Sequence, residues 1–174
     1  MSGITIQAAA NDSADILIYD RIGSSFFEDG VTAKQFTQDL AKIKNAKTLN
    51  VRINSPGGAV FEGIAIYNAL RDHGGKVITY NDSLAASIAS VIFMAGDERH
   101  IASNAFNMIH NPTNQVAGGS VEMRKAADLM DKAKEKLVAI YSERSGMAAA
   151  EVSKLMDEET WMDGPQAVAN VHPL

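Results

Sequence analysis

The sequence predicts an α/β domain built on a mainly parallel sheet. Three observations carry that expectation. Apolar strands and amphipathic helices alternate as βαβαβ through the first half of the chain, the order that gives parallel strands joined by right-handed crossovers. A glycine-rich turn, "NSPGG", leads straight from a strand into a helix. A later segment, "SLAASIASVIFMAG" (83–96), is small or apolar nearly all round and reads as a helix buried on most faces.

Taken in order, residues 1–14 are polar or small and are expected to form a flexible N-terminal segment ahead of one domain spanning 15–174. "DILIYDRIG" (15–23) is the first strand. "TAKQFTQDLAKIKNA" places Phe36, Leu40 and Ile43 on one helical face, with Thr32 and Gln35 spaced as a capping box. "TLNVRIN" is the next strand. After the glycines, a helix from about Val60 to Leu70 turns Ile64, Ile66, Tyr67 and Leu70 inward. "HGG" stops that helix, and "KVITYN" is a third strand. The buried segment follows, then short strands in "RHIA" and "AFNMIH". A turn-rich loop, "NPTNQVAGGS", leads into the longest helix, about 120–145, with a mixed charged surface and Gly146 at its end. A short helix near 148–156 follows, and Pro165 is placed for the first turn of a last one.

Composition sets limits on function. The 174 residues are 46% hydrophobic and 21% charged, enough for one domain with a proper core. A net charge of −5 at pH 7 argues against nucleic acid as the main partner, because neutralising phosphates needs a basic face. No run approaches the roughly 18 apolar residues that a membrane span requires. The opening "MSGITIQAAANDSAD" lacks the basic and apolar regions of a signal peptide. Absence of cysteine removes thiol catalysis, Cys-ligated metals and disulfides, and accords with an intracellular protein. There is no HxxxH and no Asp/His cluster at ligand spacing, so neither metal nor cofactor is expected.

The residues that can carry chemistry are few. Ser87 in "LAASIAS" follows a strand and opens the buried segment, among the small residues Ala85, Ala86 and Ala89. Taken alone, such a stretch is more often a small-residue helix packed tightly on the sheet. His110 in "MIHNP" ends an apolar strand, where ligand sites of α/β sheets collect, although a lone strand histidine is more often structural. His73, His100 and His172 lie in a helix stop, a polar edge and the tail. "MDEETWMDG" supplies Asp157, Glu158, Glu159 and Asp163 as acids able to orient an imidazole, and position does not choose among them. Gly57 and Gly58 serve either as a plain turn behind Pro56 or as backbone donors to a developing oxyanion, for which a missing Cβ is an advantage.

Taken together, "INSPGG", "AAS", "MIHNP" and "ETWMDGPQAVA", in this order and at this separation, resemble the ClpP-type serine peptidases. "VRINSPGGAVFEGIAIYNAL", "LAASIASVIFMAGDE" and "DEETW" resemble most the ClpP-like head maturation (prohead) proteases of tailed phages. The resemblance covers about residues 15–170. It implies a ClpP/crotonase-like fold, a repeated β-β-α spiral with a projecting handle at about 113–145. It also implies a serine endopeptidase with Ser87 as nucleophile, His110 as base and Glu159 where the family has its aspartate, with Asp157 and Asp163 as fallbacks. The amides of Gly58 and Ile88 take the oxyanion positions, and Gly57 and Ala59 the substrate-binding ones. Homo-oligomeric rings joined through the handle, and peptide or protein substrates such as capsid or scaffold proteins, follow from the same resemblance. So does a location in the bacterial or phage-infected cytoplasm, or inside the prohead.

Two departures stand out: Ser83 replaces the glycine usual four residues before the nucleophile, and "AVANVHPL" lacks the expected glycine-containing closing segment, as in a chain truncated there or joined to further sequence. No convincing docking surface for an ATPase is visible. The rival readings are a general degradative peptidase subunit, a ring-forming assembly protein without activity, an acyl-CoA enzyme of the crotonase kind, and a Ser–Lys peptidase. The last finds no lysine in the apolar segments around Ser87.

Overall fold

The computed structural model describes residues 4–8, 12–24 and 30–170; the tail with His172, and residues 1–3 and 9–11 of the N-terminal segment, lie outside them. Seven strands form one sheet: β1 (Ile4–Ala8), β2 (Ser13–Ile18), β3 (Thr48–Ser55), β4 (Lys76–Ala86), β5 (Glu98–Ile101), β6 (Phe106–Ile109) and β7 (Thr160–Asp163). The helices are α1 (Ala33–Lys42), α2 (Val60–Arg71), α3 (Ile88–Phe93), α4 (Ser120–Ser145), α5 (Ala149–Asp157) and α6 (Gly164–Asn170). Strands β2, β3 and β4 run parallel, as the βαβαβ order requires, and β1 and β7 close the edges antiparallel.

Alternation decides the two faces of the sheet. Ile16, Ile18, Leu49, Val51, Ile53 and Val77 point to one side and are buried with Phe36 of α1, Ile66 and Leu70 of α2, and all of α3. The opposite face is polar and cross-linked across neighbouring strands. Arg52 pairs with Asp82 at 2.5 Å and lies over the Tyr80 ring, and Tyr80 stacks on His100 at 5.0 Å between centroids. These residues share one row, because Arg52 is in register with Tyr80 and Tyr80 with His100.

Four expectations change. Residues 4–8 are not an untied segment but a strand paired with β2; in "ITIQA" the isoleucines alternate with polar residues, which is a strand pattern. The segment 83–96 is not one helix. Strand β4 continues to Ala86 because its free edge pairs with β6, and α3 holds only Ile88–Phe93. Residues 160–163 form β7, which no alternation in "TWMD" announces. In α1 the Thr32 hydroxyl accepts the Gln35 N–H at 3.3 Å as a cap should, but the Gln35 side chain turns to Asp39, so the box is half made.

Helix α4 is long and divided in environment. Ala133, Leu137, Tyr141 and Ser145 form a buried stripe at four-residue spacing, whereas Val121, Met123 and Leu129 in its first half are exposed. Its C-terminal end is fastened to α3. Arg144 donates to the carbonyls of Met94 at 3.0 Å and Gly96 at 2.6 Å, and Arg71 donates to that of Ala95 at 3.1 Å, satisfying groups a helix end leaves without partners.

Asp97 completes this corner. Burial raises its carboxyl pKa, but the Val77 N–H at 2.9 Å and Arg71 at 2.7 Å outweigh that and hold it below its ordinary value. A depressed carboxyl stabilises the fold above its unfolded value of 3.8 and loses that contribution as pH falls through the folded one. Asp97→Asn is therefore expected to lower Tm at neutral pH and to flatten the fall of Tm in acid. An unchanged Tm-against-pH curve would contradict it.

Candidate active site

Strand pairing builds the site. The register of β3 on β4 slips between Ile53 opposite Asn81 and Ser55 opposite Ala85, so β4 bulges through residues 82–84 before it reaches Ser87. Ser83 sits in that bulge, exposed and without a positive φ, so the position tolerates a side chain. Ser87 itself adopts φ 55° and ψ −131°, a strained conformation for a non-glycine residue, on a sharp turn from β4 into α3. This is the form of a nucleophile elbow, which lifts a serine hydroxyl clear of its strand. The Ser87 N–H donates to Met108 O at 2.9 Å, tying the elbow to β6.

One residue past β6, His110 places Nε2 2.7 Å from Ser87 Oγ. With the ring proton on Nδ1, the serine hydroxyl donates to Nε2. The antiparallel β6–β7 register, Ile109 opposite Thr160, continues to His110 beside Glu159. Glu159 Oε2 lies 3.9 Å from His110 Nδ1, close enough for charge attraction but too far for a hydrogen bond. Its side chain is 59% exposed, its backbone has φ 48°, and its Oε1 accepts from Trp161 Nε1 at 3.3 Å. The other candidate acids are engaged elsewhere. Asp157 accepts from Asn111 at 2.8 Å and Lys134 at 2.5 Å, which hold its carboxyl below the usual range. Asp163 caps α6 through the Gln166 N–H at 2.9 Å.

The glycines pack against the elbow. A Cβ on Gly57 (φ 92°) would meet Ser87 Cβ at 2.6 Å and Ala86 O at 2.7 Å, and one on Gly58 (φ 148°) would meet Ile22 O at 2.0 Å. The Gly57 N–H donates to Ser55 Oγ at 3.2 Å. Gly58 joins Ile22 in an isolated bridge made by the Ile22 and Ala59 N–H groups. That leaves the N–H groups of Gly58 and Ile88 without an acceptor among the described residues. Pro56, Gly57, Gly58, Ser87, Met108 and His110 line a cleft of about 220 Å³. It adjoins a second of about 350 Å³ that Ala59, Phe61, Leu129 and Met130 line, with Arg21, Gly58, Val60, Pro112 and Thr113 shared by both. Among the described residues, no group of three His, Cys, Asp or Glu side chains is placed to hold a metal ion, and no helix is long and apolar enough to cross a membrane.

A serine on a strained elbow, hydrogen-bonded to a histidine with an acid beyond it, is the arrangement of a serine hydrolase. The family model for Clp protease matches residues 2–170. The chain belongs to the Clp protease family. It is 32% identical over 171 residues to the ATP-dependent Clp protease proteolytic subunit of Porphyromonas gingivalis, spanning 94% of this chain and 76% of that one. Against the ATP-dependent Clp protease proteolytic subunit 2 of Bacillus licheniformis it is 31% identical over 173 residues, covering 93% and 90%. The fold matches the solved structure of a ClpP1 point mutant from Listeria monocytogenes with a TM-score of 0.78, at 22% identity over 91% of this chain and 87% of that one. The ClpP-like fold expected from the motifs is therefore the fold observed.

Ser87, His110, Glu159, Gly57 and Gly58 were all visible as motif residues. Two polar side chains packed beside it were not. Ser90 and Tyr141 meet behind Ser87 at 2.6 Å, although 51 residues separate them, and nothing in either segment marks the pairing.

Proposed function

We propose that this chain is a serine endopeptidase in which Ser87 is the nucleophile and His110 the general base. The observation that carries this reading is the 2.7 Å contact between Ser87 Oγ and His110 Nε2 at a strained elbow. His110 takes the hydroxyl proton as Oγ bonds to the substrate carbonyl carbon, and the carbonyl oxygen becomes an oxyanion facing the Gly58 and Ile88 N–H groups. Collapse breaks the C–N bond, and His110 returns the proton to the leaving amine. Water, deprotonated by the same imidazole, then releases the acyl group. Gly57 keeps the glycine loop against the elbow, and Gly57 and Ala59 border the substrate's path.

Glu159 steadies the imidazolium from 3.9 Å. Exposed and beyond hydrogen-bond reach, it acts more weakly than a buried orienting acid. Glu159→Gln is expected to lower kcat no more than about a hundredfold, well short of the roughly 10⁴ that loss of a buried triad acid costs. A loss as large as that from His110→Ala would show that the carboxylate closes on the ring during turnover.

The substrates we assign are capsid or scaffold proteins of a tailed phage, cleaved during head maturation in the infected host or inside the prohead. Support comes from "VRINSPGGAVFEGIAIYNAL" and "DEETW". The exposed apolar residues of the first half of α4 fit a contact between subunits, so the working form is a homo-oligomeric ring or stacked rings. Co-expression with the neighbouring capsid genes, followed by mass spectrometry of cut termini, tests the substrate. Defined termini that vanish with Ser87→Ala support it. Capsid proteins left uncut, with short heterogeneous peptides from unfolded substrates, would favour a general degradative subunit, the reading that the names of the two relatives suggest. A stable monomer at low micromolar concentration would overturn the ring.

A further inference from the structure

Behind Ser87, on the side away from the cleft, lies a buried chain of two hydroxyl groups. The Ser87 carbonyl oxygen accepts both the Ser90 N–H at 3.0 Å and the Ser90 hydroxyl at 2.5 Å. Ser90 Oγ also contacts Tyr141 Oη at 2.6 Å. Donor polarity follows from chemistry. A carbonyl can only accept, so Ser90 spends its single proton there, and Tyr141 must donate to Ser90. Both side chains are buried, at 0% and 2% exposure. Burial drives the Tyr141 phenol pKa upward, with the Ser90 contact opposing it, so the tyrosine stays a neutral donor at working pH. An isolated hydroxyl in such a place would cost stability, whereas this chain leaves neither without a partner.

The consequence reaches the front of the site through one peptide bond. The Ser87 carbonyl and the Ile88 N–H belong to the same planar trans peptide and point in opposite directions. A donor that fixes where the carbonyl aims also fixes where the N–H aims. We propose that Ser90 and Tyr141 are positioning residues that aim the Ile88 N–H at the oxyanion. They hold the Ser87–Ile88 peptide plane against the strain of φ 55°. This rests on the serine peptidase reading, and it gives α4, through Tyr141, a share in assembling the oxyanion site. Without the chain, the Ser90 N–H at 3.0 Å alone holds the Ser87 carbonyl, and the Ser87–Ile88 plane tilts toward a less strained conformation, turning the donor away from where charge develops. Substrate binding, which depends on the cleft walls, is unaffected.

The test compares Ser90→Ala, Tyr141→Phe and the double variant with the unaltered chain. It reads kcat and KM on a small peptide substrate and the affinity for a peptide boronate, which mimics the tetrahedral state. Removal of a donor from an oxyanion site costs about 10²–10³ in kcat, and a misaimed one less. Ser90→Ala is expected to lower kcat and boronate affinity in step by roughly 10- to 100-fold, with KM within about twofold. Tyr141→Phe keeps the ring and the packing, and is expected to lower both by roughly threefold to tenfold. The double variant should match Ser90→Ala, since Tyr141 has nothing to donate to once Ser90 has lost its hydroxyl. Should Ser90→Ala fail to fold, Tyr141→Phe decides by itself. Variants that lose Tm while keeping kcat and boronate affinity overturn the proposal, as does a double variant whose loss is the product of the single ones. An unaltered chain that neither hydrolyses peptides nor binds boronate overturns the peptidase reading and this inference together. An active chain with unaffected variants overturns this inference and leaves that reading standing.

Discussion

Ser87→Ala and His110→Ala are each expected to lower kcat on an unfolded protein substrate by about a millionfold, and the double variant to lose no more than either. In the proposed mechanism nucleophile and base act as one unit, because Ser87 Oγ attacks only as its proton leaves to the Nε2 that sits 2.7 Å away. Without the imidazole the hydroxyl keeps its proton, and without the hydroxyl the imidazole has nothing to activate. Neither change should harm the fold. The Ser87 side chain bonds to His110, while the elbow is held by main-chain bonds to Met108 and Ser90 that alanine retains. Steady-state kinetics beside Tm values check both halves. Independent, multiplying losses would mean that the pair is not coupled.

Gly57→Ala is expected to lower activity less steeply and by a different route. Its methyl would sit 2.6 Å from Ser87 Cβ and 2.7 Å from Ala86 O, closer than atoms pack, and at φ 92°. The backbone strain costs about 1–3 kcal/mol. Relief of the overlap requires the glycine loop and the elbow to move apart, because Ala86 O is main chain and cannot swing away. That movement carries Gly58 from Ser87, and a displacement of about 1 Å at a reacting centre costs on the order of a hundredfold in rate. The expected result is a lower Tm with at least a hundredfold fall in kcat, measured by thermal melts and peptide hydrolysis on the same preparation. Full activity would show that the loop does not set the site.

The glycine turn, Ser87 and His110 are each ambiguous alone and become legible as motifs in a fixed order, although the residue types at the turn and the elbow answer to local requirements. A strand-to-helix turn with positive φ calls for glycine, and an elbow serine needs small neighbours, here Ala85, Ala86 and Ala89. The alternation in β2, β3 and β4 likewise declares which face is buried. What could not be read depends on partners distant in the chain. Strand β4 runs on to Ala86 only because β6 lies on its edge, so its small residues looked helical in isolation. Strand β7 has no alternation of its own and exists through pairing with β6, yet it alone selects Glu159 over Asp157 and Asp163 as the acid beside His110. Tyr141 faces Ser90 because the C-terminal half of α4 packs on α3, and helical periodicity does not say which neighbour a helix meets.

The most direct measurement is reaction with a fluorophosphonate, read by intact mass and peptide mapping. A single adduct on Ser87, absent from Ser87→Ala and strongly slowed in His110→Ala, is the expected result. No adduct on the folded chain, or labelling that persists in Ser87→Ala, would contradict the assignment of Ser87 as the nucleophile.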